Sequence, residues 1–491
     1  MKKVAVIGSG VGGIASALRL KAKGYYVDVF EAKDFLGGKL AELQLGEYRF
    51  DMGPSLLTLP NLIEELFDLF DEKCEDHFQY DRLDPICKYF WDDGTELLAY
   101  SNIEKFALEA AEVFKIESSE ITEYLSGVKK RYQLAGPPFI EKSLHKKSTW
   151  LSSELIKAVA QLSKLHVFST LNELNEKHFS EPKLVQLFNR YATYNGSSPY
   201  LTPGIMSVIP YLEYYLGAYF PKNGMISIPL SLVELGKRNG VNFHINSYVS
   251  EIIIKKGKAS GIEVNGNKLN YDLVVSDMDI YPTYKNLLPN EKTPKSILSQ
   301  ARSSSGLVLY LGINREFDNL NIHNIFFSDN YKEEFNCIFN KDEVYFDPTV
   351  YVHISNKASG IDCPKGKENW FIMISTCSHN GKMESDKWIK KQRDNIINKL
   401  NKRLGIDLND FIEEESYLTP YMIEDRTYSH KGSLYGTASN SMLSGLLRHP
   451  NFSQKIKDLY FCGGSVHPGG GIPLCLSSAK IIDSLTPNAT A

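Results

Sequence analysis

The chain opens with a change of period. Val4–Ile7 is an uninterrupted apolar run, the pattern of a strand covered on both faces. Ile14, Ala17, Leu18 and Ala22 then recur at helical spacing until Gly24, and Tyr26–Phe30 returns to a strand-like stretch. Later segments repeat the theme. Residues 219–264 read as a glycine turn, an amphipathic helix marked by Ile228, Leu232 and Leu235, then strand, turn and strand. "YDLVVSDMD", residues 271–279, predicts another buried strand. Near the C-terminus Leu459–Phe461 leads through a glycine-rich loop into a helix over residues 474–485. Between these lie "GLVLYLGI" (306–313) and "NWFIMISTC" (369–377), which predict a second sheet.

The turns between these elements carry the chemistry. Gly8, Gly10 and Gly13, with Ser9 and Gly12 among them, form GxGxxG between the first strand and its helix. Such glycines let the backbone approach a pyrophosphate, and the helix N-terminus offers it free N–H groups and the positive end of a dipole. Glu31, at the end of the second strand, is placed to accept hydrogen bonds from ribose hydroxyls and to repel a 2′-phosphate. A dinucleotide site follows. Instead of further βα units, the chain makes a second glycine turn beside a cation, Gly37-Gly38-Lys39, and then "YRFDMGPS", which holds Gly53 and Ser55. In the C-terminal loop Gly463, Gly464, Gly471 and Ile472 present a second helix N-terminus.

Composition narrows the field. A chain of 491 residues suits two or three domains, and a net charge of -4 gives no support for a nucleic-acid partner. The seven cysteines include no CxxC pair, so neither a zinc site nor a disulfide framework is expected. Met1-Lys2-Lys3 runs straight into a strand, and no run of about 18 apolar residues appears. The expected location is cytoplasmic, with attachment to a membrane surface open. Residues 145–168 offer a docking element: His145, Lys146, Lys147 and Trp150 precede Leu151, Leu155, Val159 and Leu162 at helical spacing. A packed surface helix has the same pattern. Nine aromatic residues between Phe188 and Phe220 form either core or the wall of a site for a long apolar ligand.

"GSVHPGGGIP", "FDMGPS", "YFPKNGM" and the N-terminal fingerprint together resemble the bacterial-type phytoene and carotenoid desaturases. "GPSLLTLP" and residues 194–225 are more similar to the branch that forms the 3,4 (or 3′,4′) double bond of hydroxylated acyclic or monocyclic carotenoids. The resemblance implies an α/β fold of the amine-oxidase/glutathione-reductase type. A discontinuous Rossmann-like FAD domain would use residues 1–85, 220–300 and 440–491. Residues 86–219 and 301–439 would form a mixed-sheet and helical domain for substrate and membrane docking. It implies FAD, held by Gly8, Ser9, Gly10, Gly12, Gly13, Glu31, Gly38, Lys39, Gly53 and Ser55, with Val249 reaching the adenine. Gly463, Gly464, Gly471 and Ile472 would face the flavin ring. Asn223 stands where the family has the first glycine of a pair; asparagine tolerates left-handed backbone, so the turn is expected to survive. No residue announces itself as the proton acceptor; His467 and His430 are catalytic candidates that fit structural roles as well. The electron acceptor would be oxygen or a quinone. Phytoene desaturation, carotene isomerisation and a flavin-free prenyl-lipid chaperone are the rival readings.

Overall fold

The computed structural model describes residues 1–490 except 382–384 and 443. Five parallel strands form the first sheet, in the spatial order Leu459–Phe461, Leu273–Ser276, Lys3–Ile7, Tyr26–Phe30 and Val241–His244. Val4, Val6, Val27, Val29, Val274 and Val275 are wholly buried in it, which explains their unbroken apolar runs. The helices Val11–Ala22 and Ile472–Leu485, far apart in sequence, pack side by side on this sheet. The chain therefore leaves and returns to one layer.

The strand, turn and strand expected through Val264 form an antiparallel meander of Val249–Lys255 and Lys258–Val264, joined by a third strand, Asn267–Asn270. Val249 and Ile252 are buried while Lys255 is exposed, the signature of a ribbon covered on one face only.

The second sheet has seven strands in the order Ile412–Leu418, Ser305–Ile313, Glu368–Thr376, Val350–Ile354, His323–Phe326, Cys87–Phe90 and Glu96–Ala99. Only the His323–Phe326 and Cys87–Phe90 pair is parallel. The two-residue period decides its layers. Leu307, Leu309, Leu311 and Ile313 pack with Ile396, Ile397 and Leu400 of the helix Asp386–Leu404. Gly306 and Val308, and Phe371, Met373 and Ser375 of the neighbouring strand, turn to the opposite face and line a large cavity. A helical layer, including Ile103–Phe114, Ser118–Glu141 and Pro182–Asn189, closes the far side over a core of Phe106, Tyr124, Leu187 and Phe188.

Two of the motifs quoted above meet directly. Asp51 accepts from the backbone of Met225 (2.8 Å) and Ile226 (3.1 Å), while Arg49 bridges Asp51 and Asp362 at 3.0 and 2.8 Å. The turn forms with Asn223 in place, and without a left-handed backbone there. Only Gly224 takes a positive φ, +75°, and a Cβ on it would lie 2.3 Å from Arg49 Nη2. The turn needs its glycine at 224, so the preceding position is free to be asparagine.

Candidate functional site

Three glycine turns converge at the C-terminal edge of the parallel sheet. Gly37 donates its N–H to the Ser9 carbonyl at 3.0 Å, and a Cβ on Gly38 would lie 3.1 Å from Gly10 Cα. A Cβ on Gly12 would lie 2.9 Å from the Gly463 nitrogen, so the first and last turns are in backbone contact. Neither helix that starts here has a side-chain cap: Gly10 and Gly471 stand at the N-cap positions without such a bond. Their first amides are open to an anionic or electron-rich ligand.

A cavity of about 500 Å³ begins at these turns and continues beneath the seven-stranded sheet. Every residue assigned above to the dinucleotide lines it except Gly13. A Cβ on Gly13 would meet the Gly8 carbonyl oxygen at 2.3 Å, so this glycine serves close packing of helix on strand. Glu31 accepts from Ser9 N (2.9 Å), Ser9 Oγ (2.7 Å) and Lys33 N (3.0 Å). Lys39 donates to the carbonyls of Ser433 (3.2 Å) and Leu434 (2.9 Å). Burial pulls this ammonium down to about 8, with the Asp279 carboxylate opposing. Asp279 itself is paired with Arg302.

Asp277 sits between the first and last turns, where sequence reading had only a strand. A Cβ on Gly10 or Gly463 would lie 2.4 or 2.5 Å from its carboxylate oxygens. Burial pushes this carboxyl up to about 7, against hydrogen bonds from Gly13, Cys462 and Gly10 that favour its charged form. The open helix termini and the closely apposed glycines suit a pyrophosphate-bearing cofactor, and the raised Asp277 carboxyl can take up a proton beside such an anion. The residues fit FAD.

Beyond the turns the wall changes character. Gly306, Val308, Ile325, Phe371, Met373, Leu418 and Ile423 supply an apolar lining. Of the nine aromatics in 188–220, only Tyr194 reaches the cavity. Phe188, Tyr191 and Tyr214 are buried in the helical core, with Phe220 in a second cluster. The other aromatics of that segment pack outside the cavity lining, and the sheet supplies most of the apolar wall. Sequence reading also missed a polar group in this wall formed by Arg190, Glu213, His323 and Tyr351. A lone arginine and a lone glutamate among those aromatics were its only sequence signal.

Neither candidate histidine lines the cavity. His467 is 2% exposed, bonds the Lys142 carbonyl through Nε2 at 2.9 Å and packs edge-on against His145. Burial pulls it down to about 4, so it stands as a neutral ring fastening the C-terminal loop to the helical layer. His430 stacks on Tyr281 at 3.6 Å between ring centroids, with Glu424 at 3.8 Å. Among the described residues, no cluster of three or more His, Cys, Asp or Glu is placed to hold a metal ion.

The 145–168 segment differs from its expected phase. Ser152 caps a new helix, Ser153–Ala160, by accepting from Leu155 N, so the pattern breaks after Lys147–Trp150. Leu155 is fully buried, while Trp150, Leu151, Ile156, Val159 and Phe168 are exposed. Among the described residues no helix is long and apolar enough to cross a membrane.

Comparison with known proteins agrees with this geometry. Residues 11–481 match the family described as flavin containing amine oxidoreductase. The chain is 50% identical to a 1-hydroxycarotenoid 3,4-desaturase of Flavobacterium sp. (strain P99-3), with 100% of both chains covered. It is 31% identical to a 4,4′-diapolycopene oxygenase of Methylomonas sp., covering 98% of this chain and 97% of the other. In three dimensions it resembles cyclohexylamine oxidase from Brevibacterium oxydans with a TM-score of 0.60, at 14% identity and 99% and 98% coverage. The chain belongs to the flavin-containing amine oxidoreductase family and is an FAD-dependent oxidoreductase of its carotenoid desaturase branch.

Proposed function

We propose that the protein is a carotenoid desaturase that introduces the 3,4 double bond into a hydroxylated acyclic or monocyclic carotenoid. One observation carries the reading: a single cavity joins the three glycine turns to an apolar chamber under the mixed sheet. A polyene has few polar handles, so its binding rests on buried apolar area, worth about 25 cal/mol per Å². Bound FAD supplies the two-electron oxidation of a C–C bond. The turns at Gly8–Gly12 and Gly37–Lys39 take the phosphates, Glu31 the ribose and Val249 the adenine. Gly471 and Ile472 direct open amides at the ring, where they favour negative charge. Val308, Phe371 and Met373 hold the polyene and exclude water. In this reading residues 1–85, 220–300 and 440–491 serve the cofactor and the remainder serves substrate.

The test is incubation of the FAD-loaded protein with vesicles containing either phytoene or a 1-hydroxylated carotene. The hydroxylated polyene is expected to shift its absorption to longer wavelength as conjugation extends. Conversion of phytoene alone contradicts the 3,4 assignment.

Asp277 gives cofactor binding a pH dependence. Its carboxyl is raised in the folded protein, so its stabilising contribution is present at low pH and lost as pH rises through about 7. A neighbouring pyrophosphate acts in the same direction. FAD affinity is expected to fall between pH 6 and 9, roughly the range on either side of that value, and Asp277→Asn to flatten the profile. A titration showing equal slopes for both proteins removes Asp277 from the FAD site.

Substrate of this kind resides in a bilayer, and we place the docking surface at residues 145–168, on the cytoplasmic side. Trp150, Leu151, Ile156, Val159 and Phe168 project beside exposed Lys146, Lys147, Lys157 and Lys164. The wild type is expected to float with anionic vesicles. Leu151→Glu combined with Ile156→Glu should leave the protein in the dense fraction with its flavin intact; co-flotation of that variant refutes the docking site. Electrons would leave to dioxygen or a membrane quinone.

A further inference from the structure

A polar group interrupts the apolar wall on three adjacent strands, Cys87–Phe90, His323–Phe326 and Val350–Ile354. His323, only 4% exposed, lines the cavity. Its Nδ1 lies 2.7 Å from the Tyr351 hydroxyl, which lies 2.6 Å from Ser55 Oγ. Among the described residues its Nε2 has no hydrogen-bond partner. Alongside, Arg190 donates to the Tyr89 hydroxyl at 2.9 Å and faces Glu213 at 3.6 Å. Arg190 is 8% exposed, and its Nε also lacks a partner among the described residues.

A buried polar atom without a partner is costly, and a purely hydrocarbon ligand would leave these atoms dehydrated and unpaired. A hydroxyl both donates and accepts, so it satisfies His323 Nε2 in either tautomer. In a 1-hydroxylated chain only C2 lies between the carbinol carbon and the 3,4 bond. The oxygen therefore sits about 3–4 Å from C3 and at most about 5 Å from C4, with bonds near 1.5 Å. Its partner must lie close to the flavin. The Ser55–Tyr351 contact supplies that proximity, because it ties the polar group to the Gly53–Ser55 turn at the cofactor end of the cavity.

We infer that His323 is the direct partner of the substrate hydroxyl, oriented by Tyr351 and Ser55 and flanked by the Arg190–Glu213 pair, and that this contact selects hydroxylated over unmodified carotenoid ends. The inference rests on the desaturase reading above and adds the residue that sets its substrate specificity. Burial pulls the His323 ring well below its ordinary range, with His353 and Arg190 adding to the effect, so the ring meets the hydroxyl in its neutral form.

The experiment compares kcat/KM of the FAD-loaded protein, in vesicles, for a 1-hydroxylated carotene and for the same polyene without its hydroxyl. Wild type is expected to prefer the hydroxylated substrate by about a hundredfold or more. His323→Phe keeps a ring to stack on His353, 4.9 Å away between centroids, and should bring the ratio to near unity. His323→Gln restores a donor and an acceptor and should recover a preference of about tenfold. A purely structural role would make both variants lose activity in parallel on the two substrates. An unchanged ratio in either His323→Phe or Tyr351→Phe overturns the inference while leaving desaturation intact. Wild type that oxidises neither polyene refutes the desaturase reading itself, and the inference with it.

Discussion

Replacing Gly12 with valine is expected to yield colourless protein. A Cβ at this position would lie 2.9 Å from the Gly463 nitrogen, 3.1 Å from its Cα and 2.7 Å from Asp277 Oδ1. The two Gly463 atoms are backbone and cannot swing aside, and the Asp277 carboxylate is itself confined between Gly10 and Gly463. The two turns must separate, and the open amides of both helices then lose their common focus. Overpacking of this kind costs about 3 kcal/mol, which corresponds to roughly a hundredfold in FAD affinity. Gly445→Ala is the control, since a Cβ there meets nothing within 4 Å. Flavin content and FAD titration of the two purified variants decide the matter. Gly12→Val retaining a full complement of flavin would show that the turns do not jointly hold it.

The second large effect concerns stability. Glu213 is 1% exposed, accepts from the Tyr191 hydroxyl at 2.6 Å and from the Tyr194 hydroxyl, and faces Arg190 at 3.6 Å. Glu213→Ala leaves a buried guanidinium without its counter-charge and two tyrosines without their acceptor. Breaking a buried pair from one side costs about 3–5 kcal/mol. The urea midpoint of the FAD-loaded protein should fall accordingly. Glu213→Gln, which keeps an acceptor oxygen but not the charge, should fall less. An alanine variant as stable as wild type would mean that Arg190 finds other compensation.

These two expectations draw on different layers of the sequence. Gly12 was legible from the start, because strand, glycine turn, helix and strand follow one another within a single local unit. The same holds for Glu31 and for the C-terminal loop, where glycines at a helix start have one straightforward physical use. What joins them is not local. Asp277 stood in view in "VVSDMD", yet its position between two turns depends on the pairing of Leu273–Ser276 with both Lys3–Ile7 and Leu459–Phe461. His323 and Tyr351 meet because their strands are neighbours in a register that no residue pattern encodes.

Other expectations changed for reasons of competition. The tyrosines and phenylalanines of 188–220 had the chemistry of a tunnel wall. The sheet took that role because alternate residues of Ser305–Ile313 and Glu368–Thr376 already present Val308, Phe371 and Met373 to the cavity. The docking segment kept its exposed apolar surface but changed which residues form it, since the Ser152 cap interrupts the helix and turns Leu155 inward. That cap was readable as serine ahead of an apolar run. His467 and His430 drew attention through position alone, and their side chains are engaged outside the cavity.

In the proposed reaction one cavity delivers a hydroxylated carotenoid to bound FAD for removal of two hydrogens across the 3,4 bond. Its most direct test is an anaerobic single turnover. Oxidised, FAD-loaded protein is mixed with vesicles carrying a 1-hydroxylated carotene, and the flavin and polyene absorptions are followed together. Oxidised flavin is expected to disappear as the lengthened polyene forms, one equivalent for each new double bond, with the product unsaturated at C3–C4. A polyene change that leaves the flavin oxidised, or flavin reduction that yields a different bond, would contradict it.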